Sequence, residues 1–153
     1  NIRIRPASFE VKEIYRNTSV HLAPSLWYES WGRVATEAVM NGIPVLASKS
    51  GGLPEAVNGG GIVLDAPANA DAEERKKWLT LPSEESCRPW ADALYRLYDE
   101  RDSSYWQSRC AQAAKENSPN ACAVKLLKAI GPLLEKLAGN GDFTNKGSMR
   151  LDD

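Results

Sequence analysis

Two glutamates eight positions apart, Glu29 and Glu37, are the residues of this chain best suited to chemistry. Glu29 falls in the loop A-P-S-L-W-Y-E-S-W-G, and Glu37 lies about one turn into a helix that opens at Gly32–Arg33. A carboxylate in that position can accept two hydrogen bonds from a vicinal diol such as a ribose. The free N–H groups and the dipole of the helix start favour a phosphate. Gly32 permits close approach of a ligand to the backbone, and Arg33 can grip a phosphate or carboxylate as a fork. A second loop, S-K-S-G-G-L-P-E, repeats the layout, with Gly51 and Gly52 before a short helix that carries Glu55.

Each feature also has a plain structural explanation. Glu37 can be a solvated helix acid, and Glu29 with Arg33 an i,i+4 surface pair worth a few tenths of a kcal/mol. Trp27, Tyr28 and Trp31 can pack beneath the loop, and Gly51-Gly52 can be only a turn. These explanations weaken jointly, because all the features fall at one edge of one sheet. The single histidine, His21, sits in an apolar segment without a nearby nucleophile and is expected to pack. Cys87, Cys110 and Cys122 are odd in number and lack metal-ligand spacing, as reduced thiols would.

The elements that must position these groups alternate. Asn1–Arg5 alternates apolar and polar like an edge strand. Ser8 caps a helix over Phe9–Arg16, whose Val11, Ile14 and Tyr15 form an apolar stripe. Ser19–Ala23 is a short strand stopped by Pro24. Arg33–Asn41 is a helix that Gly42 ends. Ile43–Ser48 is a continuous apolar run, typical of a strand buried on both faces. Leu53–Val57 is a short helix and Gly61–Leu64 a strand. Such alternation means βαβ units and a parallel α/β sheet of about four strands, with ligands expected beyond the strands' carboxyl ends. Residues 66–88 read as a polar excursion holding one short helix. Residues 89–138 read as helices over Pro89–Glu100, Ser103–Asn117 and Cys122–Leu137, the last broken or kinked at Gly131-Pro132. Residues 139–153 look like a loose, flexible tail. Residues 1–138 are thus expected to form one domain.

Composition narrows the classes. The chain has 153 residues, 42% hydrophobic and 25% charged, with 19 Lys+Arg against 20 Asp+Glu. That is ordinary globular composition without a basic surplus for nucleic acid. No apolar run approaches the roughly 18–20 residues of a membrane span. No signal-peptide pattern opens the chain, and the expected location is cytoplasmic.

The run from Pro24 to Glu55 resembles the donor-binding half of retaining glycosyltransferases with the GT-B fold, in particular glycosyltransferase family 4, the glycosyl transferases group 1. The residues that carry the resemblance are Pro24, Ser25, Glu29, Trp31, Gly32, Glu37, Ala38, Gly42, Pro44, Val45, Ala47, Ser48, Gly51, Gly52 and Glu55. It covers about residues 1–65 and implies a partial Rossmann-like C-terminal lobe, with a helical part following it. It implies a catalytic-site position beside the transferred sugar for Glu29, and ribose binding for Glu37. Ser30, Trp31, Gly32, Arg33, Gly51, Gly52 and Glu55 become donor-binding positions. Arg33 replaces the aliphatic residue commoner after the glycine. The implied donor is a nucleotide sugar such as a UDP- or GDP-sugar, the implied activity hexosyl transfer with retention, and no metal or other cofactor is required.

Measured against that family, an N-terminal acceptor lobe and the first two strands of the donor lobe have no counterpart here. The chain by itself is therefore expected to be inactive. The edge at Ser19–Ala23 is expected to be bare, which invites self-association. Asn1–Arg5 pairing there, a second copy, or a longer protein of which this is a piece would each relieve it. A peripheral membrane association of the full-length enzyme is the remaining partner expectation. The alternative function is a non-catalytic nucleotide-binding or protein-interaction module. A dinucleotide fingerprint is not met, because Gly59-Gly60-Gly61 precedes a strand and does not follow one.

Overall fold

The structure, a computed structural model, describes residues 2–4, 10–66 and 82–139. The chain divides into two compact units, Asn1–Asn117 and Ser118–Asp153. No helix among the described residues is long and apolar enough to cross a membrane.

The first unit holds α1 (Val11–Arg16), β1 (His21–Ala23), α2 (Arg33–Met40), β2 (Val45–Ser48), α3 (Leu53–Val57), β3 (Gly61–Leu64), α4 (Glu84–Glu100) and α5 (Ser104–Glu116). The strands form one parallel sheet in the order β1-β2-β3. His21 pairs with Val45, and Val45 in turn with Gly61. This is the α/β architecture with a partial Rossmann-like sheet that the alternating pattern predicts. The continuous apolar run becomes the central strand β2, every residue of which is buried.

Successive residues of β2 face opposite sides. Val45 and Ala47 join a core of Ala35, Ala38 and Val39 from α2, Leu53, Ala56 and Val57 from α3, and Cys110 and Ala113 from α5. Leu46 joins the other core, with Trp90 and Leu97 of α4 and Trp106 of α5. The alanines of α2, fully buried, leave room for the helix to lie close on the sheet.

Local signals set most boundaries. Gly42, at φ 75°, ends α2, and the amides of Gly42 and Ile43 return to the carbonyls of Val39 and Ala38. Ser83 caps α4 by accepting from the Ser86 amide at 3.2 Å, and Glu84 and Glu85 sit in its first turn. This cap starts α4 five residues earlier than Pro89, which the helix carries inside it. Ser103 caps α5 in the same way, through the Trp106 amide.

Several expectations are corrected. Residues 2–4 are not a strand, and Ile2 and Ile4 are 95% and 94% exposed. Period-two alternation specifies a strand only where a neighbour takes up its hydrogen bonds, so the described sheet has three strands instead of about four. The first helix begins at Val11, with Glu10 at the cap position; Ser8 and Phe9 lie outside the described residues. β1 is shorter than expected, starting at His21. Residues 67–81 of the polar excursion and 140–153 of the tail also lie outside the described residues.

The described part of the second unit is α6 (Pro119–Gly139). It begins at Ser118, whose hydroxyl accepts from the Ala121 amide. Of the break or kink expected at Gly131-Pro132, the break does not occur: the helix is continuous through Pro132. A proline disfavours helical geometry in the residue before it partly by clashing with that residue's Cβ. Gly131 has none, so that part of the cost is absent, while the missing hydrogen bond and the crowding of the ring against the preceding turn remain.

Candidate functional site

The carboxyl edge of the sheet is built from two loops joined by three hydrogen bonds at every second residue. The Ser48 hydroxyl donates to the Ser25 carbonyl at 2.6 Å, the Ser50 hydroxyl to the Trp27 carbonyl, and the Gly52 amide to the Glu29 carbonyl at 2.7 Å. The chain leaving β2 thus holds the Glu29 loop as an added strand would. Contact is close enough to require glycine. A Cβ on Gly51 would lie 1.9 Å from the Glu29 carbonyl oxygen, and one on Gly52 would lie 2.6 Å from that of Ser30. Gly51 and Gly52 therefore act as the seam between the two loops.

Gly32 is also committed to the fold. It caps α2 in the left-handed region at φ 85°, and an added Cβ would lie 2.5 Å from Leu53 Cδ2. Its hydrogen is what lets α2 and α3 approach. No side chain caps the amino end of α2, and its first turn holds no acid. That end opens on a trench of about 480 Å³ whose walls include His21, Ser25, Glu29, Gly32, Arg33 and Leu53. The Glu29 carboxylate lies in this trench, and the Ser25 hydroxyl donates to its Oε1 at 3.1 Å.

Glu37 is one turn further along α2. Its Oε2 accepts from the Tyr15 hydroxyl at 2.9 Å, and its Oε1 lies 3.5 Å from an Arg33 guanidinium nitrogen. Arg33 therefore pairs with Glu37 and not with Glu29, as the i,i+4 surface pair had it. Burial, together with the bond and charge of Glu37, pushes the Tyr15 phenol up to about 12, so it remains a proton donor across the physiological range.

Ser30 is exposed at the rim, and Glu55 is exposed in the first turn of α3. Trp27 and Tyr28 are 66% and 81% exposed, which rules out packing beneath the loop. Trp31 is tied to α2 by its indole N–H, which donates to Thr36 Oγ1 at 3.0 Å. The fold thus brings Glu29, Gly32 and Arg33 to one trench, links Glu37 to it through Arg33, and sets Gly51 and Gly52 against the backbone of the Glu29 loop. Two contributors escaped the sequence reading. Tyr15 was assigned to an apolar stripe, and Ser50 has no signal beyond standing two residues after Ser48. A smaller hollow of about 150 Å³, bordered by Gly42, Arg101, Asp102 and Gln107, lies at the amino end of the strands. There Arg101 and Gln107 are spent on neighbouring carbonyls.

His21 is half-buried in the trench wall, and its Nε2 is buried without a hydrogen-bond partner among the described residues. Burial lowers its pKa from the ordinary 6.5. Below that value the unfolded chain takes up a proton that the folded one resists, so stability is complete above about pH 6.5 and falls as pH drops through it. Thermal melts at about pH 7.5 and 5.5 should show that decline in the natural sequence. The decline should be smaller in His21→Leu, and an equal decline in both would remove His21 as its source.

Comparison with known proteins places these features in context. The family model described as "Glycosyl transferases group 1" matches residues 5–95, more than half of the chain. Over 108 residues the chain is 35% identical to a D-inositol 3-phosphate glycosyltransferase of Corynebacterium jeikeium (strain K411), covering 60% of this chain and 26% of that protein. It is 42% identical over 74 residues to one of Streptomyces bingchenggensis (strain BCW-1), covering 47% and 16%. It is 33% identical over 113 residues to one of Corynebacterium efficiens, covering 72% and 22%. The chain spans about a quarter or less of the length of these curated relatives.

Proposed function

From the premise that this chain belongs to the glycosyl transferases group 1, a family of glycosyltransferases, we propose that it is the donor-binding portion of a retaining hexosyltransferase that uses a nucleotide sugar. The observation that carries this reading is the trench at the carboxyl edge, where the Glu29 carboxylate and the uncapped amino end of α2 face one space. The diphosphate lies at that helix end, where backbone N–H groups and the helix dipole offset its charge. Arg33 adds a mobile cation. As the sugar–phosphate bond breaks, negative charge grows on the leaving diphosphate, and these donors stabilise it most at that moment. Glu29 contacts the sugar, and Glu37 accepts from the ribose hydroxyls. No metal is assigned a part in this reading, and the donor is a UDP- or GDP-sugar.

The acceptor side is assigned to sequence beyond these residues, so the chain by itself binds donor without turning it over. The phosphorylated cyclitol named for the relatives belongs to that side and is not read from this trench.

Calorimetric titration of the intact protein with UDP- and GDP-sugars tests the proposal. Glu37→Ala should weaken binding at least about tenfold, the expected loss for a charge-assisted hydrogen bond of about 1.5–3 kcal/mol. Unchanged affinity would remove Glu37 from the ribose site. Failure of the natural protein to bind either nucleotide would favour the interaction-module reading.

A further inference from the structure

We propose that Tyr15 is a positioning residue for Glu37, orienting its carboxylate for the two hydroxyls of the donor's ribose. This inference rests on the assignment of Glu37 to the ribose. The carboxylate has two partners, and they are unequal. The Arg33 contact is long, at 3.5 Å, and the arginine side chain is 86% exposed. An exposed i,i+4 pair of that kind does little to fix orientation. The Tyr15 bond is shorter, at 2.9 Å, and half-buried, and it spans 22 positions of sequence. A tyrosine ring also has only two rotatable side-chain bonds and can hold a partner with little loss of freedom.

The placement of α1 supports the same role. The helix is six residues long and has no buried residue. Tyr15 is its contact with the core that contains α2. The ring docks the helix, and the hydroxyl at its end reaches Oε2 of Glu37. With Oε2 held by Tyr15, the partner of Oε1 among the described residues is Arg33, a long cation that can swing toward a phosphate when a donor binds. The carboxylate then meets the diol already oriented, without having to lose rotational freedom on binding.

Tyr15→Phe keeps the ring and removes the bond. The test compares UDP and GDP with their 2′,3′-dideoxy forms, binding each to the intact natural protein, Tyr15→Phe and Glu37→Ala. The natural protein should prefer the ribonucleotide. Glu37→Ala should abolish the preference, and Tyr15→Phe should reduce it about five- to tenfold through weaker ribonucleotide binding alone. A merely structural role for Tyr15 would weaken both forms equally and leave their ratio unchanged, which would overturn the inference. Full preference in Tyr15→Phe, with preference lost in Glu37→Ala, would overturn it too while leaving the ribose assignment intact. Preference retained in Glu37→Ala, or absent from the natural protein, would overturn the ribose assignment itself.

Discussion

Gly51→Ala is expected to separate the two loops of the site, with a marked loss of stability and of nucleotide-sugar binding. The new methyl carbon would lie 1.9 Å from the Glu29 carbonyl oxygen and 2.7 Å from its amide nitrogen. Both are backbone atoms, so no side-chain rotation relieves the contact. Gly51 also has φ 55°, a left-handed conformation that costs an alanine about 1–2 kcal/mol before any clash. The loop must therefore move, and the Gly52 amide bond to the Glu29 carbonyl goes with it. Glu29 loses its fixed place in the trench, and affinity for a nucleotide sugar should fall by more than about tenfold. Gly42→Ala supplies the comparison. Its φ is 75°, but an added Cβ would find only Gln107 Oε1, at 3.5 Å. It should lose about the conformational penalty and keep its binding. Melting and titration of the two variants side by side would decide the matter. Equal behaviour would mean that the seam does not organise the site.

The contrast between these glycines shows where the sequence is informative. Its patterns give the α/β architecture, the helices around the site and the central strand, expected over Ile43–Ser48 and formed over Val45–Ser48, because burial on two faces leaves a continuous apolar run. They also bring Glu29, Gly32 and Arg33 to one edge, because successive strand–helix units must place their loops there. They do not separate a glycine that admits a ligand from one that admits a neighbouring chain. Gly32, Gly51 and Gly52 all prove to be occupied by protein, a matter of distances between segments about 20 residues apart. Tyr15 shows the same limit from another side. Its helical spacing marks it as apolar packing, and the ring does pack, but its hydroxyl reaches a carboxylate 22 positions away. The strand expected around residues 2–4 fails for a third reason. Alternation is a property of the segment, whereas pairing depends on a partner at the sheet edge.

Trp106→Ala is expected to be the most destabilising of the core changes, at about 3–5 kcal/mol. The residue lies beyond the stretch matched by the family, which ends at residue 95. Yet it is only 4% exposed and packs with Leu46, Trp90 and Leu97 on one face of the sheet. Its indole N–H donates to Glu100 Oε2 at 3.1 Å. Truncation leaves a cavity the width of an indole beneath β2 and removes the indole bond to Glu100, whose carboxylate keeps Arg96 as a partner. A loss of that size is a large share of the roughly 5–15 kcal/mol that holds a domain together. Tyr105, its neighbour on α5, is 55% exposed, and Tyr105→Ala should cost less than about 1 kcal/mol. Denaturant unfolding of the two variants would compare them, and a smaller loss in Trp106→Ala than in Tyr105→Ala would mean that α5 does not support the sheet. The consequence for the site follows from β2. Leu46 belongs to this core, and two residues later Ser48 bonds to the Ser25 carbonyl that begins the Glu29 loop. Binding in Trp106→Ala should therefore fall together with the melting temperature and recover where the variant is folded, as on cooling or in a stabilising osmolyte. Glu37→Ala loses the Tyr15 bond and should melt slightly lower, but its binding should stay lost even where the variant is fully folded. That difference separates a residue that supports the wall from one that meets the donor.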